Sequence, residues 1–333
     1  MAIANTQSAD ERPSRSTFDD YETRSDEMQE TIDGFIDDLL ADARDAVESE
    51  QFQRWLEAQS RFTDYSVRNA LLIKAQMPDA TRVAGYNIWQ ELGRQVQEGE
   101  SALWIWSPII AKKCPTCGNA PSYHEEDHVD CNGHEEGNPE DWRRGAVGFK
   151  PTSVFDISQT EGESLPDLET ETKGDPDGLV DDILDAANRL DVEAEIVPPE
   201  EWDYPDSWRG ACEHRDPMTL QPVVEAKDRD NSADLSRTLI HEYAHALLHA
   251  DIDNDAERSR REVEAESVAY IVAKHYGLDP SNSAFYLAGW DADCEDTIQD
   301  RLNRISRTAK TLIDAITPGA ERSLSELANG GNK

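Results

Sequence analysis

Residues 234–250 read DLSRTLIHEYAHALLHA, and this stretch decides the fold of the C-terminal half of the chain. Its apolar residues recur at the spacing of one helical face, which predicts a helix over about residues 234–249. Positions four apart share a helix face, so His241 and His245 can direct their imidazoles at one zinc ion. Glu242 lies about 100° further round the helix, where its carboxylate can take a proton from a zinc-bound water. The alternative is a pair of histidines that pack within a core and bind no metal.

The third metal ligand is expected from a separate helix, predicted over about residues 261–276 in the sequence RREVEAESVAYIVAKHYG. Glu262 and Glu266 are four apart and share a face of this helix, whereas Glu264 points elsewhere. We predict Glu262 as the ligand, with Glu266 either orienting a histidine ligand or replacing Glu262. We expect His249, one turn beyond the motif, to pack near the ligands or behind them. For any one of these carboxylates the alternative is a surface acid in an acidic protein.

The length and the order of elements predict two domains of the α+β class. The 333 residues suggest two domains at roughly 150 residues each. The first domain opens with amphipathic helical patterns and ends in strand-like pieces, and the second surrounds the metal helix. The predicted divisions are a disordered acidic tail (1–27), an N-terminal domain (28–158), an acidic linker (159–178), a C-terminal domain (179–318) and a flexible tail (319–333).

Further elements follow from periodicity and turn residues. In the N-terminal domain a short helix is predicted over 83–92, and strands are predicted at 103–106 and 146–157. In the C-terminal domain we predict helices at 179–190 and 291–316 and strands near 192–197 and 220–224.

A cysteine-bearing insert, residues 112–145, interrupts the predicted strands of the N-terminal domain. Cys114-x2-Cys117 and Cys131-x2-His134 have the spacing of two zinc knuckles, and four such ligands make a closed structural zinc site. His124 or His128 is an alternative to His134. Because the insert is too short and polar to bury a core, metal binding would supply its folding energy. A thiol redox pair is the alternative interpretation.

The net charge of −38, from 32 basic and 70 acidic residues, is typical of a protein adapted to high intracellular salt. Residues 52–112 depart from this pattern, because seven Lys or Arg and six Asp or Glu give them a net charge of +1. A stretch that stays neutral in an acidic chain either faces an anionic partner or contains more buried positions. No apolar run is long enough to cross a membrane, and the N-terminal residues do not resemble a secretory signal. We therefore expect a cytoplasmic protein without a membrane partner.

Both halves resemble a known family. IHEYAHALLH followed by REVEAESVAYIVA, within residues 235–276, is similar to the zinc peptidase domain shared by ArdC-type antirestriction proteins and ImmA/IrrE-type peptidases. This resemblance implies a zincin-like domain of the gluzincin type, with a glutamate as third ligand. TDYSVRNALLIKAQMPDATRVAGYNIWQELGRQVQEGESALWIWSP, resumed by GFKPTSVFDISQTEG, resembles the single-stranded-DNA-binding domain of ArdC-like proteins.

A single-strand interface would combine aromatic side chains that stack on bases with cations that contact phosphates. The candidate platforms are Tyr65, Trp89, Trp104 and Trp106, and the candidate polar and basic contacts are Arg68, Asn69, Lys74, Arg82, Arg94 and Lys150. For each aromatic residue, packing in a core is the alternative.

The sequence therefore predicts a single-stranded-DNA-binding zinc metallopeptidase that hydrolyses peptide bonds in DNA-associated protein. Its partners would be single-stranded DNA and a protein or peptide substrate, and its cofactors one catalytic and one structural zinc ion. One alternative is an antirestriction protein that protects DNA without proteolysis. Another is a regulator that cleaves a transcriptional repressor.

Overall fold

Helices and strands both contribute to the fold, which confirms the predicted mixed α+β class. The computed structural model describes residues 18, 20–45, 49–122, 139–163, 176–214, 221–249, 258–279 and 294–318. Cys131 and His134, the alternatives His124 and His128, the C-terminal tail and most of the N-terminal tail and of the acidic linker lie outside these residues. Within the described part of the chain, no helix is long and apolar enough to cross a membrane.

The N-terminal half contains four helices among the described residues and two small antiparallel sheets. The helices are α1 (Arg24–Asp45), α2 (Glu50–Arg61), α3 (Val67–Gln76) and α4 (Tyr86–Glu91). The strands are β1 (Val83–Ala84), β2 (Arg94–Val96), β3 (Leu103–Lys112), β4 (Arg144–Asp156) and β5 (Thr160–Gly162). One sheet has the order β1-β4-β3, and β2 pairs with β5 in the other.

The short helix predicted from residue 83 begins later, at Tyr86. Val83 and Ala84 instead pair with Asp156 and Phe155 as a short strand. Gly85 then forms the N-cap of α4 in an extended conformation. The pairing partner lies more than seventy residues away along the chain, so local periodicity could not detect it.

The C-terminal half is a three-stranded sheet covered by helices. Its elements are α5 (Pro176–Leu190), β6 (Glu193–Val197), β7 (Gly210–His214), β8 (Pro222–Lys227), α6 (Ser232–Leu248), α7 (Arg258–His275) and α8 (Glu295–Ile316). β8 is central, with β6 parallel on one side and β7 antiparallel on the other. The predicted strand near residues 220–224 is thus β8, whereas β7 was not predicted.

One hydrophobic core extends across both halves. Ile36 and Leu39 of α1 and Phe52 and Trp55 of α2 join the cluster formed by the C-terminal helices and sheet. Lys310 of α8 also forms an ion pair at 2.7 Å with a residue between α2 and α3, Asp64. The first two helices therefore contribute to the packing of α7 and α8, although the sequence assigns them to the N-terminal domain.

The exposed edge of β3 is protected by two side chains of α3. The Asn69 amide donates to the carbonyl oxygen of Trp106 and accepts from its N–H, both at 2.9 Å. The Gln76 amide makes the same pair of bonds with Trp104, at 2.9 and 2.8 Å. Each amide thus occupies the place of a neighbouring strand, which blocks association at this edge.

Candidate functional site

The predicted metal helix exists as α6, and its two faces have different roles. The Asn231 side chain caps the helix by accepting from the N–H of Asp234 at 3.0 Å. The buried face packs into the core through Leu235, Leu239, Ile240, Tyr243 and Ala244. The opposite face carries His241 and His245, whose side chains keep 21% and 18% of their surface exposed. The histidines therefore do not fill the core, and an ion could reach them from solvent.

Three predicted ligands converge on one point between α6 and α7. The Nε2 atoms of His241 and His245 lie 3.0 Å apart, and Glu262 Oε2 lies 3.5 and 3.6 Å from them. A tetrahedral zinc ion with ligand bonds of about 2.0–2.1 Å places its ligand atoms about 3.3 Å apart. Among the described residues, these three side chains form the cluster whose ligand atoms could hold one metal ion. The set of two imidazoles and one carboxylate therefore fits a divalent cation.

Glu266 lies behind His241, where a carboxylate can orient the imidazole, and its role stays a prediction. Its Oε2 lies 3.3 Å from His241 Nδ1, and its other oxygen accepts from Arg237. An ionised carboxylate can only accept, so Nδ1 carries a proton, and a bound cation would replace the second proton on Nε2, which Glu262 favours in the metal-free protein. Burial disfavours the His241 cation, but bonds to Glu262 and Glu266 outweigh it and raise the pKa of His241 to about 9.

A second chain of polar contacts lies behind His245. His245 Nδ1 is 3.1 Å from His249 Nδ1, and His249 Nε2 is 3.0 Å from Glu264 Oε2. Glu264 is 1% exposed and also accepts from Arg301 at 2.7 Å, with Arg304 at 3.6 Å. Because burial opposes its ionisation while His249 and the two arginines favour it, the pKa of Glu264 lies below its usual value.

These contacts assign the protons along the chain. The ionised Glu264 must accept, so His249 donates from Nε2 and accepts at Nδ1. His245 then donates from Nδ1, and its Nε2 lone pair faces the ion position. Burial is the main cause that lowers the pKa of His249 in spite of Glu264, which agrees with a neutral ring.

Glu242 lies off the ligand face, against strand β7. Burial raises the pKa of Glu242 to about 7, and the Glu262 charge adds to this while His241 opposes it. A Cβ atom at Gly210 would lie 2.7 Å from Glu242 Oε1 and 2.6 Å from Thr238 Cγ2. Only glycine therefore lets β7 pass this close to the carboxylate. Gly210 could not be predicted as a site residue, because a single glycine in an unpredicted strand gives no local signal.

Two of the four predicted knuckle ligands lie among the described residues. Cys114 is 1% exposed, and its backbone closes a turn with Gly118 and Asn119 through two 2.9 Å hydrogen bonds. The Asn119 amide lies 3.6 Å from Cys117 Sγ. The turn is the local part of the predicted zinc knuckle, and the four-ligand site stays a prediction.

The predicted base-stacking aromatics are largely occupied by contacts within the protein. Trp89 is 0% exposed and donates from Nε1 to the Phe155 carbonyl oxygen at 2.9 Å, so its ring offers no face to a base. The predicted stacking role of Trp89 is therefore wrong for this fold. Tyr65 donates from its hydroxyl to the Val83 carbonyl oxygen at 2.8 Å, and burial is the main cause that raises its pKa to about 12.

The two tryptophans of β3 lie on one face, as alternation predicts, and this face is partly covered. Trp104 and Trp106 pack against the cluster of Phe18, Met28, Ile32 and Leu72. The Arg24 guanidinium lies 3.5 Å from the centroid of the Trp104 ring. A base could reach either ring only if these neighbours moved.

The predicted polar contacts differ in their exposure and in their bonds to the rest of the protein. Lys150 and Arg68 are on the surface, although Arg68 also donates to Gln29 at 3.3 Å. The side chains of three others bond to the protein backbone. The Asn69 amide bonds to the backbone of Trp106 at the edge of β3, and Lys74 donates to the Pro78 carbonyl oxygen at 2.7 Å. Arg94 donates to the carbonyl oxygens of Thr160 and Glu163. Arg82 is half-buried, and its backbone N–H donates to Asp156 at 2.9 Å.

Comparison with known proteins identifies the N-terminal half. Residues 25–155 match the family model of the N-terminal domain of anti-restriction factor ArdC. Over these residues the chain is ArdC-like. The chain is also 28% identical over 294 residues to an uncharacterized Bacillus anthracis protein, pXO2-81, an alignment that covers 80% of this chain and 47% of the relative. The chain thus spans about half the length of this curated relative.

Two crystal structures of the antirestriction protein ArdC from plasmid R388 are similar to this chain, each at 15% identity. The metal-free structure has a TM-score of 0.41 and covers 76% of this chain and 85% of its own. The Mn(II)-bound structure has a TM-score of 0.40 and covers 80% and 98%.

Proposed function

We propose that this ArdC-like chain is an antirestriction factor that protects DNA by binding single strands through its N-terminal half. The observation that carries the proposal is the match of residues 25–155 to the N-terminal domain of anti-restriction factor ArdC. The charge distribution supports it, because residues 52–112 have a net charge of +1 in a chain of net charge −38. A polyanion would otherwise be repelled by so acidic a surface.

The C-terminal half would hold one divalent cation on His241, His245 and Glu262. Zinc suits two imidazoles and one carboxylate, and a bound cation would polarise a carbonyl group or acidify a water molecule. Glu266 and His249 hold the two imidazoles with Nε2 toward the ion position. In this proposal Arg237 and Glu264 stabilise that arrangement from behind. The cysteine insert would hold a second, structural zinc ion on Cys114, Cys117, Cys131 and His134.

A second candidate function is peptide-bond hydrolysis, and Glu242 is the observation that favours it. A cation site with only a structural role has no need of a half-buried carboxylate beside the ligands. A pKa of about 7 suits a group that takes a proton and returns it near neutral pH. The substrate would be protein associated with DNA, or a transcriptional repressor.

The experiment compares the full-length wild type with Glu242→Gln, after both are shown to retain the same metal content. Restriction protection is measured as the transformation efficiency of unmodified plasmid into a restricting host. Cleavage of casein and of DNA-bound protein is measured in molar salt, with and without single-stranded DNA.

Protection by both proteins without cleavage would support the DNA-protecting function. Protection and cleavage by the wild type alone would favour the peptidase. The primary proposal fails if the wild type neither protects plasmid nor binds a fluorescent oligo(dT). Equal turnover with and without the single strand would exclude activation of the peptidase by DNA.

A further inference from the structure

The outer part of the β3–β4 hairpin has an unusual charge for this chain. We define the outer arm as residues 107–113 and 143–150. It contains five cations and no acidic residue, although the whole chain has 70 acidic and 32 basic residues. The wider stretches 101–122 and 142–155 also lack any Asp or Glu. The cations are Lys112, Lys113, Arg143, Arg144 and Lys150, and all but the half-buried Lys112 are exposed.

The outer arm also exposes apolar side chains. Phe149 is 63% exposed, and Ile110 and Ile109 are 48% and 42% exposed. Isolated apolar residues are common on surfaces, but Ile110 alternates with Pro108 along β3 and therefore shares a face with Phe149, so that these two side chains form a patch, whereas Ile109 pairs with Gly148 on the opposite face. Phe149 pairs with Pro108, and Lys112 pairs with Arg144 at the far end of the ladder.

Strand register places Phe149 on the face that carries the two tryptophans. Trp104, Trp106 and Pro108 alternate along β3 and pair with Ser153, Pro151 and Phe149. Directly paired residues lie on the same face of a sheet. The inner part of this face is covered by the cluster that contains Met28 and Ile32 of α1. Beyond that cover, the same face ends in the exposed ring of Phe149.

The surroundings of the exposed aromatics distinguish Phe149 from Tyr21. Tyr21 is 84% exposed but is flanked by Asp20 and Glu22, which would repel a phosphate. Phe149 lies on the acid-free arm, on the face that alternation along β3 gives to the Lys112–Arg144 pair, whereas Lys150 points to the opposite face. A ring with a free face beside several cations is the combination that binds single strands, since bases stack and phosphates pair with charge.

From this geometry we infer that the outer arm is the surface that contacts single-stranded DNA, with Phe149 stacking on a base and its cations on phosphates. The inference rests on the proposed function, since it names the contact surface for the same ligand. A duplex fits less well, because its bases are already stacked on one another and offer no free face to the ring.

The test measures binding of fluorescent oligo(dT) to the full chain over a series of salt concentrations. Phe149→Ala should raise the Kd about tenfold, the order expected for the loss of one stacked base, and Phe149→Trp should restore binding. Arg144→Gln with Lys150→Gln should reduce the slope of log K against log salt by about 0.7 for each lost phosphate contact.

Two matched control variants lie outside the outer arm, and they remove an aromatic ring and a pair of cations, respectively. Trp208→Ala removes a ring that is 44% exposed in the C-terminal half. Arg54→Gln with Arg307→Gln removes two other exposed cations. Both controls should bind within about twofold of the wild type. Circular dichroism and thermal unfolding should match the wild type for every variant, because the altered side chains are exposed.

The outcomes separate the inference from the proposed function. If the wild type does not bind oligo(dT), the proposed function fails and the inference fails with it. If the wild type binds and the outer-arm variants bind equally well, the single-strand function stands and the inference is overturned. Binding of a duplex of the same length as tightly as the single strand would overturn the stacking role of Phe149. A preference for a poly-glutamate peptide over oligo(dT) would assign the arm to an acidic protein instead.

Discussion

His245 and His249 face each other through their Nδ1 atoms, which lie 3.1 Å apart. This contact joins the candidate metal ligand to the buried carboxylate of Glu264, which lies 3.0 Å from the far nitrogen of His249. Since Glu264 can only accept, the proton positions along this path leave His245 Nε2 free for a cation. In the proposed site, a residue one turn beyond the metal motif would thus control the orientation of a candidate ligand.

Replacing His249 should therefore weaken metal binding without removing a ligand. His249→Phe keeps a ring of similar size but ends the contact with His245, and we expect affinity for Zn²⁺ or Co²⁺ to fall about 10- to 100-fold. Competition with a chromophoric chelator measures the affinity, and the visible spectrum of the Co²⁺ form reports the ligand set. An unchanged affinity would mean that His249 serves packing alone.

The two carboxylates of α7 nearest His241 should differ in how much each contributes to metal affinity. Glu262→Gln removes a ligand and should lower metal affinity more than about 100-fold. Glu266→Gln should lower it by about 10- to 100-fold, because the ligand set remains and only the orientation of His241 is relaxed. Chelator competition gives both values, with the surface change Glu193→Gln as control. A larger loss of affinity for Glu266→Gln than for Glu262→Gln would make Glu266 the ligand, which is the alternative that the sequence left open.

Glu264 should make the stability of the metal-free protein depend on pH in the acid range. Its pKa in the folded state is lowered, so its ionised form stabilises the fold above the unfolded value of about 4.3. This contribution is lost as the pH falls through the folded pKa. At pH 7, Glu264→Gln should cost about 3–5 kcal/mol, because it leaves buried arginine charge without its partner.

Urea unfolding in EDTA at pH 7 and near pH 3 measures this effect. The difference between wild type and Glu264→Gln should shrink at the lower pH, whereas Glu193→Gln should change stability little at either. A constant difference at both values would show that the carboxylate charge is not the cause.

Gly210 should be intolerant of any side chain, because Thr238 and Glu242 already fill the space where a Cβ would lie. Gly210→Ala should cost about 1–3 kcal/mol and displace the Glu242 carboxylate, while the three metal ligands remain. We expect near-normal metal content with reduced hydrolysis, if hydrolysis occurs. Gly34→Ala is the control, since no atom lies within 4 Å of its added Cβ, and it should be neutral or slightly stabilising.

Asn69 should act on stability more than on DNA binding. Asn69→Ala leaves the backbone N–H and carbonyl oxygen of Trp106 without partners and should cost about 1–3 kcal/mol. Gln90→Ala, which alters an exposed amide, should cost far less. Oligo(dT) titration of folded protein should give nearly the same Kd for Asn69→Ala and wild type. A large loss of binding at unchanged thermal stability would restore Asn69 as a DNA contact, as the sequence predicted.

The packing of α1 and α2 limits how the function can be dissected. Deleting residues 28–158 would remove Ile36, Leu39, Phe52 and Trp55 from the core that contains α7 and α8. The remaining C-terminal half would expose that core, so loss of activity in such a deletion would not identify a DNA-binding role. Point changes on exposed residues, such as Phe149, avoid this problem.

By itself the sequence determined the features that depend on local geometry. The helical repeat predicts the helix that carries His241 and His245 on one face, because residues four apart share a face in any helix. The same rule places Glu262 and Glu266 on one face of the next helix. The mixed α+β class follows from the same periodicities.

Tertiary structure decided which partner each of these faces meets. The Glu264 carboxylate contacts His249 and Arg301 rather than the candidate metal ligands. The Trp89 ring is buried, and Gly210 lies in an unpredicted strand that packs against Glu242. Each of these contacts joins residues far apart in the chain, and such contacts depend on how helices and strands pack rather than on neighbouring residues. A single sequence shows that a helix or strand has an apolar face, but only the packed fold decides which residues cover that face.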